Sequence, residues 1–186
     1  FGIPMAHDDD EDRAVRAAVA MIRNLNAWNV TRVNEGKKAV NIGIGLNTDV
    51  VVSGNIGSQK RMDFTIIGDG VNLAARLESA CKQYAVRILI SEFTFKKLRG
   101  TYRTREIDLV VVQGKTRPVA VFEVLDYHDD ETFPNLMDVV NQFKDGVAKY
   151  RGGKWDAAIQ AFREALRLNP LDKLSEIYIK RCEKLK

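Results

Sequence analysis

The spacing of apolar residues predicts a helix near the start of the chain. Apolar side chains recur there at helical spacing, at Val15, Ala18, Met21, Ile22 and Leu25. This pattern is typical of an amphipathic helix and places one over residues 7–28. The acidic run HDDDED begins this segment. Carboxylates at that position complement the positive end of the helix dipole.

The next part of the chain changes to the period of β-strands. The segment KAVNIGIGLNTDVVVSGNIGS predicts two strands joined by a tight turn at Asn47, Thr48 and Asp49. MDFTIIG predicts a third strand, followed by a helix over DGVNLAARLESACKQY. VRILIS, YRTREIDLVVV and the segment that ends VAVFEVL predict further strands, with a short helix at EFTFKKL. This irregular alternation, with antiparallel pairs, indicates an α+β fold.

After residue 125 the pattern becomes wholly helical. Residues 126–135 are acidic, carry a proline and are expected to form a linker. Residues 136–186 then predict three helices separated by a Gly-Gly pair and by Pro170. Their small and aromatic positions resemble one tetratricopeptide repeat, roughly Val139 to Asp172. Because a single repeat cannot bury its own apolar face, we expect this tail to dock on the preceding domain or on a partner.

Composition narrows the class of protein. The chain has 186 residues, 45% of them hydrophobic, and no apolar run of the roughly 18 residues that a membrane span needs. The net charge of +4 comes from 29 basic residues scattered among 25 acids, which argues against a nucleic-acid site. Two cysteines far apart in sequence indicate a reduced, cytoplasmic protein. Because the chain begins with Phe1, we expect it to be part of a longer protein, with a possible sensor domain upstream.

Candidate chemistry is concentrated in DFTIIGDGVNLAARLESA. Asn72 and Arg76 are four residues apart and therefore share one side of the predicted helix. Asp69 can cap the helix start. A cation in the first turns opposes the helix dipole, which favours an approaching anion such as a phosphate. The alternative is that Arg76 pairs with a neighbouring acid, either Glu78 or Asp69.

The segment RMDFTIIGDGVNLAARLE resembles the signature of class III nucleotidyl cyclases, the adenylate and guanylate cyclases. FGIP, GNIGS and GKTRPVAVFEV resemble other segments of that family, so that the likeness covers residues 1–125. It implies the C-terminal part of a ferredoxin-like catalytic domain, with an antiparallel-rich sheet, packed helices and a missing N-terminal part. It also implies a homodimer, because in this family each active site lies between two catalytic domains.

The resemblance favours an adenylate cyclase, which converts ATP to 3′,5′-cyclic AMP and pyrophosphate with two Mg²⁺ or Mn²⁺ ions. It implies that Asn72 orients the ribose and that Arg76 neutralises charge developing on the α-phosphate. Thr65 matches the position that recognises the purine in this family, where a hydroxyl can accept a hydrogen bond from the adenine amino group. The alternative is that Thr65 is an ordinary β-branched strand residue.

The chain departs from the family pattern in its metal and triphosphate positions. The two metal-binding aspartates are expected upstream of Phe1, so no metal ligand is assigned here, and residues 1–186 alone are expected to be inactive. The triphosphate lysine of the family aligns with Gln113. Lys115, two residues further on, would point to the same side of an extended strand as Gln113 and could take the role of the family's lysine. The alternative is that Lys115 is a plain surface lysine.

Three other functions stay open at this point. The enzyme can be a guanylate cyclase. The domain can be a degenerate cyclase that regulates or dimerises without catalysis, which Gln113 favours. The helical tail can act as an interaction module that binds a peptide or packs on the catalytic dimer.

Overall fold

The computed structural model describes residues 1–58, 61–111 and 117–186. In chain order its elements are α1 Asp10–Asn34, β1 Ile44–Leu46, β2 Val52–Ser58, β3 Arg61–Ile67, α2 Asp69–Tyr84, β4 Ile88–Ser91, α3 Glu92–Phe95, β5 Thr104–Val110, β6 Val119–Val124, α4 Leu136–Arg151, α5 Trp155–Leu168 and α6 Lys173–Leu185. Within these ranges, every helix is too short or too polar to cross a membrane.

The strands form one mixed sheet and one separate hairpin. The sheet has the order β1-β4-β6-β5, in which β1 runs parallel to β4 and the other neighbours are antiparallel. The hairpin consists of β2 and β3, with Gly54 opposite Thr65. The prediction of an α+β fold rich in antiparallel pairs is therefore confirmed.

The predicted hairpin between β1 and β2 is wrong. β1 pairs with β4 and β2 pairs with β3, so the two strands belong to different sheets. The residues expected in the turn make other bonds: Asn47 Nδ2 donates to the carbonyl of Gly70, and Asp49 Oδ1 accepts from the amide of Val50. Alternating hydrophobicity identified the strands correctly, but it does not specify which strand each one pairs with.

The sheet separates two apolar layers. On one face, α1 packs through Val15, Ala18, Val19 and Ile22, all buried. Ile88 and Ile90 of β4 point to this side, whereas Leu89 between them belongs to the core on the other face. That second core joins α2 to the three C-terminal helices. Successive side chains of a strand point to opposite faces, and this alternation gives β4 contacts on both sides.

The C-terminal helices pack on the domain that precedes them. This is one of the two arrangements expected from the sequence, the other being packing on a partner. Phe143, Phe162 and Tyr178 form an aromatic cluster, and the same core includes Leu77 of α2 and Ile107 of β5. Residues 126–135, expected to be a linker, contribute buried Tyr127 and Phe133. The assignment of the tail to the tetratricopeptide class stays a prediction.

A buried group of three charges connects the tail to the sheet. Arg105 of β5 donates from Nε to Glu123 of β6 at 2.6 Å and from its two terminal nitrogens to Asp172 at 2.8 and 3.1 Å. The three side chains are at most 3% exposed. Burial alone lowers the pKa of Arg105, but the two carboxylates outweigh it and raise that pKa above its ordinary value. The arginine therefore stays charged.

α2 lies unusually close to β1. A Cβ atom on Gly45 would be 2.3 Å from the carbonyl oxygen of Ala74 and 2.4 Å from the amide nitrogen of Glu78. These are backbone atoms, which cannot move aside without shifting the helix. Glycine at position 45 is therefore required by the helix-to-strand distance.

We predict that Gly45→Ala lowers the free energy of unfolding by about 1–3 kcal/mol, because the added methyl group forces α2 away from β1. Urea denaturation measures the change. Gly54→Ala is the matched control, since nothing lies within 4 Å of its added Cβ, and it should change stability by less than about 0.5 kcal/mol. Equal effects of the two substitutions would contradict this account.

We also predict that Asp172→Ala lowers the free energy of unfolding by about 3–5 kcal/mol, because it leaves a buried guanidinium without one of its two partners. Asp156→Ala is the control: its carboxylate pairs with Lys186 but is 72% exposed, so the unfolding midpoint should not change. Chemical denaturation of both variants checks the prediction. A near-neutral Asp172→Ala would show that the buried charges do not hold the tail in place.

Candidate functional site

The candidate site lies at the start of α2. Gly68 is the N-cap residue, and no side chain caps this end among the described residues. The predicted cap by Asp69 is therefore wrong: Asp69 is the first residue of the helix, and the carbonyl of Gly68 accepts from the amides of Val71 and Asn72. Amides in an uncapped first turn are available to an anion from outside the helix.

The first turn of α2 is fixed by the segment after β1. Asn47 Nδ2 donates to the carbonyl of Gly70 at 3.0 Å, and Asn47 Oδ1 accepts from Ser91 Oγ at 2.6 Å. A Cβ on Gly70 would lie 2.4 Å from Cβ of Asp49, so the two segments are in close contact. Ser91 was not singled out from the sequence, and Asn47 was named only as a residue of the predicted turn. The available clue was a serine ending the apolar run VRILI, since a buried hydroxyl needs a hydrogen-bond partner.

Asn72 and Arg76 share the exposed side of α2, while Leu73 and Leu77 are buried in the core. Among the described residues, neither Asn72 nor Arg76 makes a side-chain hydrogen bond or ion pair. The pairing of Arg76 with Glu78 or Asp69, the alternative considered from the sequence, is not formed. The structure thus presents an amide and a guanidinium to solvent on one stripe of the helix.

Thr65 lies in the middle of β3 and is exposed. Its neighbour across the hairpin is Gly54, beside which there is open space. No hydrogen bond joins Thr65 to Asn72 or Arg76. Of the other residues singled out from the sequence, Lys115 and Gln113 lie outside the described residues.

The three described candidates have exposed side chains. One cavity of about 410 Å³ lies between the sheet and the tail, beside Arg105 and Asp172. Another, of about 770 Å³, lies beside Cys81 and the second half of α2. Neither is lined by Thr65, Asn72 or Arg76. A ligand bound at these residues would need a second surface to enclose it.

The hairpin beside the site is apolar and exposed. Its exposed apolar side chains, which we call the hairpin patch, are Val52, Met62, Phe64, Ile66 and Ile67. Phe64 is 63% exposed and Val52 70%. Met62, Phe64 and Ile66 alternate along β3 and share one face of the hairpin, whereas Ile67 and Val52, which lie opposite each other, share the other face with Thr65. Exposed apolar side chains of this number are typical of an interaction site.

The described residues do not fit a metal centre. In residues 1–58, 61–111 and 117–186, no three His, Cys, Asp or Glu side chains are grouped as ligands. Both cysteines, Cys81 and Cys182, are buried and unpaired with each other. Burial raises the pKa of the Cys81 thiol to about 11, so it is a poor ligand or nucleophile near neutral pH.

Comparison with known proteins identifies the domain that carries this surface. The family model for the adenylate and guanylate cyclase catalytic domain matches residues 1–125. The chain is similar to the terminal-differentiation-specific adenylate cyclase of Dictyostelium discoideum, with 34% identity over 173 residues. That alignment covers 91% of this chain and therefore extends into the helices after residue 125, but it covers only 8% of the Dictyostelium protein.

Solved cyclase structures have the same fold. The guanylyl cyclase Cya2 superimposes with a TM-score of 0.59 at 35% identity, over 67% of this chain and 62% of that one. The adenylyl cyclase CyaB from P. aeruginosa gives a TM-score of 0.55 at 34% identity, over 70% of this chain and 67% of that one. Together with the family match, these likenesses show that the chain belongs to the adenylate and guanylate cyclase catalytic domain family.

Proposed function

We propose that this chain is part of an adenylate cyclase, which converts ATP to 3′,5′-cyclic AMP and pyrophosphate. The observation that carries the proposal is the exposed pair Asn72 and Arg76 on one side of the first half of α2, a helix whose first turn has no side-chain cap. The similarity to the Dictyostelium adenylate cyclase supports ATP as the substrate. We place the reaction in the cytoplasm, where ATP is available.

In the proposed reaction the ribose 3′-oxygen attacks the α-phosphorus and pyrophosphate leaves. Arg76 would donate hydrogen bonds to the α-phosphate oxygens as negative charge develops there. A donor placed in this way commonly contributes about 3 kcal/mol to the transition state. The Asn72 amide would hydrogen-bond the ribose and hold the attacking oxygen in line. Because neither side chain has an intrachain partner to give up among the described residues, both are ready to bind the nucleotide.

We propose that Thr65 recognises the base. Its hydroxyl can accept a hydrogen bond from the adenine amino group. The open space beside Gly54, opposite Thr65 in the hairpin, leaves room for a planar ring. Lys115 is proposed to contact the triphosphate.

The site is proposed to be completed by a second copy of the chain. Thr65, Asn72 and Arg76 have exposed side chains, and the hairpin patch beside them is apolar. A homodimer through the face of the hairpin that carries Thr65 would bury Val52 and Ile67 and enclose the nucleotide at the same time. Burial of apolar area, at about 25 cal/mol per Å², would drive the association.

The family uses divalent cations, and the described residues provide no ligand cluster for them. We therefore propose that Mg²⁺ or Mn²⁺ is held by residues that precede Phe1. Residues 1–186 alone are then expected to form no product, and the assays below use the complete gene product that contains them. Such ions stabilise charge on transferring phosphoryl groups when bound.

Guanylate cyclase is the second candidate, because Cya2, a guanylyl cyclase, is as similar in structure and sequence as the adenylyl cyclase CyaB. Competition between ATP and GTP in one assay decides between them. Cyclic GMP as the dominant product would replace the adenylate cyclase assignment.

We predict that Asn72→Ala and Arg76→Ala each lower kcat for cyclic AMP formation by about 100-fold or more, because each removes a group that acts on the transition state. Both residues are exposed, so thermal unfolding should be unchanged. Product formation is measured with ATP and Mg²⁺ or Mn²⁺.

The matched controls are Asn24→Ala on α1 and Arg163→Ala on α5, which are exposed residues of the same types away from the site. They should retain wild-type kcat. Wild-type kcat in both Asn72→Ala and Arg76→Ala would contradict the catalytic roles proposed for these residues.

We predict that Thr65→Val lowers kcat/KM for ATP by about tenfold, because it removes the hydroxyl at constant shape. The rate with GTP should change less, so the ratio of the two products is the informative measurement. Thr101→Val, at another exposed threonine, is the control. An unchanged product ratio in Thr65→Val would show that Thr65 does not recognise the base.

A further inference from the structure

The end of α2 that lies away from the candidate site is held by the tail. Tyr84, the last residue of α2, donates its hydroxyl to Asp108 Oδ2 of β5 at 2.5 Å. Arg181 of α6 donates from Nη1 to the same carboxylate oxygen at 2.8 Å. One carboxylate on the sheet therefore joins α2 to α6.

Ring contacts strengthen this junction. The guanidinium carbon of Arg181 lies 5.1 Å from the ring centroid of Tyr84 and 4.9 Å from that of Tyr178. A guanidinium over aromatic rings is attracted by their negative faces. Burial, together with the hydrogen bond to Asp108, raises the pKa of Tyr84 to about 12, so its hydroxyl remains a donor at neutral pH.

α6 is itself fixed to the sheet at three successive points. Asp172, just before the helix, binds the buried Arg105. One turn and a half later, the hydroxyl of Tyr178 donates to the carbonyl of Ile107. Arg181 then binds Asp108. Because these points are spread over residues 105–108 of the seven-residue β5, α6 cannot slide or tilt without breaking several of them.

We propose that Tyr84, Asp108 and Arg181 are positioning residues for catalysis, through which the C-terminal helices fix the orientation of α2 and hence of Asn72 and Arg76. This inference rests on the proposed function. The three residues touch no substrate; they act through the helix that carries the candidate site. The tail is then a working part of the catalytic domain, in keeping with the alignment to the Dictyostelium cyclase, which continues into it.

The geometry makes small movements consequential. Arg76 is eight residues from Tyr84, or about 12 Å along the helix axis at 1.5 Å per residue. A tilt of about 5° at the Tyr84 end would therefore move Arg76 by about 1 Å. A displacement of that size at a catalytic group can lower a rate by about 100-fold.

Two measurements test the proposal. In the complete gene product, Arg181→Ala should lower kcat for cyclic AMP by about tenfold and change KM for ATP by less than twofold, because positioning acts mainly in the transition state. In residues 1–186, hydrogen exchange should become faster in α2 while α1 keeps its protection. Arg167→Ala is the matched control, since Arg167 is an exposed tail arginine whose side chain binds Glu164 and no other described residue; it should change neither quantity.

Two further variants separate positioning from general stability. Tyr84→Phe, which removes one hydroxyl, should lower kcat by about threefold, and adding it to Arg181→Ala should lower kcat little further, because both changes break the same junction. Exchanging the charges, with Asp108→Arg and Arg181→Asp together, should recover part of the kcat lost in Arg181→Ala.

Wild-type kcat in Arg181→Ala, or an equal loss in Arg167→Ala, would overturn the proposal. So would faster exchange spread evenly over all helices, because that would reflect general destabilisation. If the wild-type gene product forms no cyclic nucleotide, the proposed function fails, and hydrogen exchange alone then decides: unchanged protection of α2 in Arg181→Ala overturns the junction, and a selective loss supports it.

Discussion

The close contact between α2 and β1 is the constraint on which the rest of the structure depends. Gly45 lets the helix backbone approach the strand until no side chain fits between them. Leu73 and Leu77 are then buried on one side of α2, and this fixes the direction in which Asn72 and Arg76 point. Since a helix presents residues four apart on one face, a rotation that exposed the leucines would also bury the arginine. Packing and site geometry are therefore set by the same contact.

The second constraint is electrostatic. Burying Arg105, Glu123 and Asp172 removes three charges from water, and such groups commonly add little net stability over apolar residues of similar size. Their contribution here is geometric, because a guanidinium donates hydrogen bonds to carboxylates only in a narrow range of directions. The apolar surfaces of α4, α5 and α6 could pack on the sheet in several registers, whereas Arg105 binds Asp172 in one. The arginine thus determines where α6 begins and where Arg181 meets Asp108.

The sequence predicted local structure well and long-range pairing poorly. DGVNLAARLESACKQY corresponds to α2 residue for residue, because the helical periodicity and the chain breaks on either side all act within one segment, although the predicted cap by Asp69 is not formed. The β1–β2 hairpin was wrong because strand partners depend on distant residues, here β4 and β3. Asn72, Arg76 and Thr65 were proposed as site residues from a contiguous signature. Tyr84, Asp108 and Arg181 come from three elements far apart in sequence, and nothing in their local patterns links them.

The candidate surface combines an exposed arginine, which has no ion-pair partner among the described residues, with an exposed apolar hairpin. Arg76 is exposed to water and can bind an anion, whereas the exposed apolar side chains of the hairpin patch are unfavourable in water. A second copy of the chain would bury apolar side chains of the hairpin, and a nucleoside triphosphate would bind the arginine. In the proposed dimer each event would favour the other, because the nucleotide would contact both copies. The same surface can therefore couple assembly to substrate binding, provided that α2 is held firmly enough for Arg76 to meet the phosphate where the partner places it.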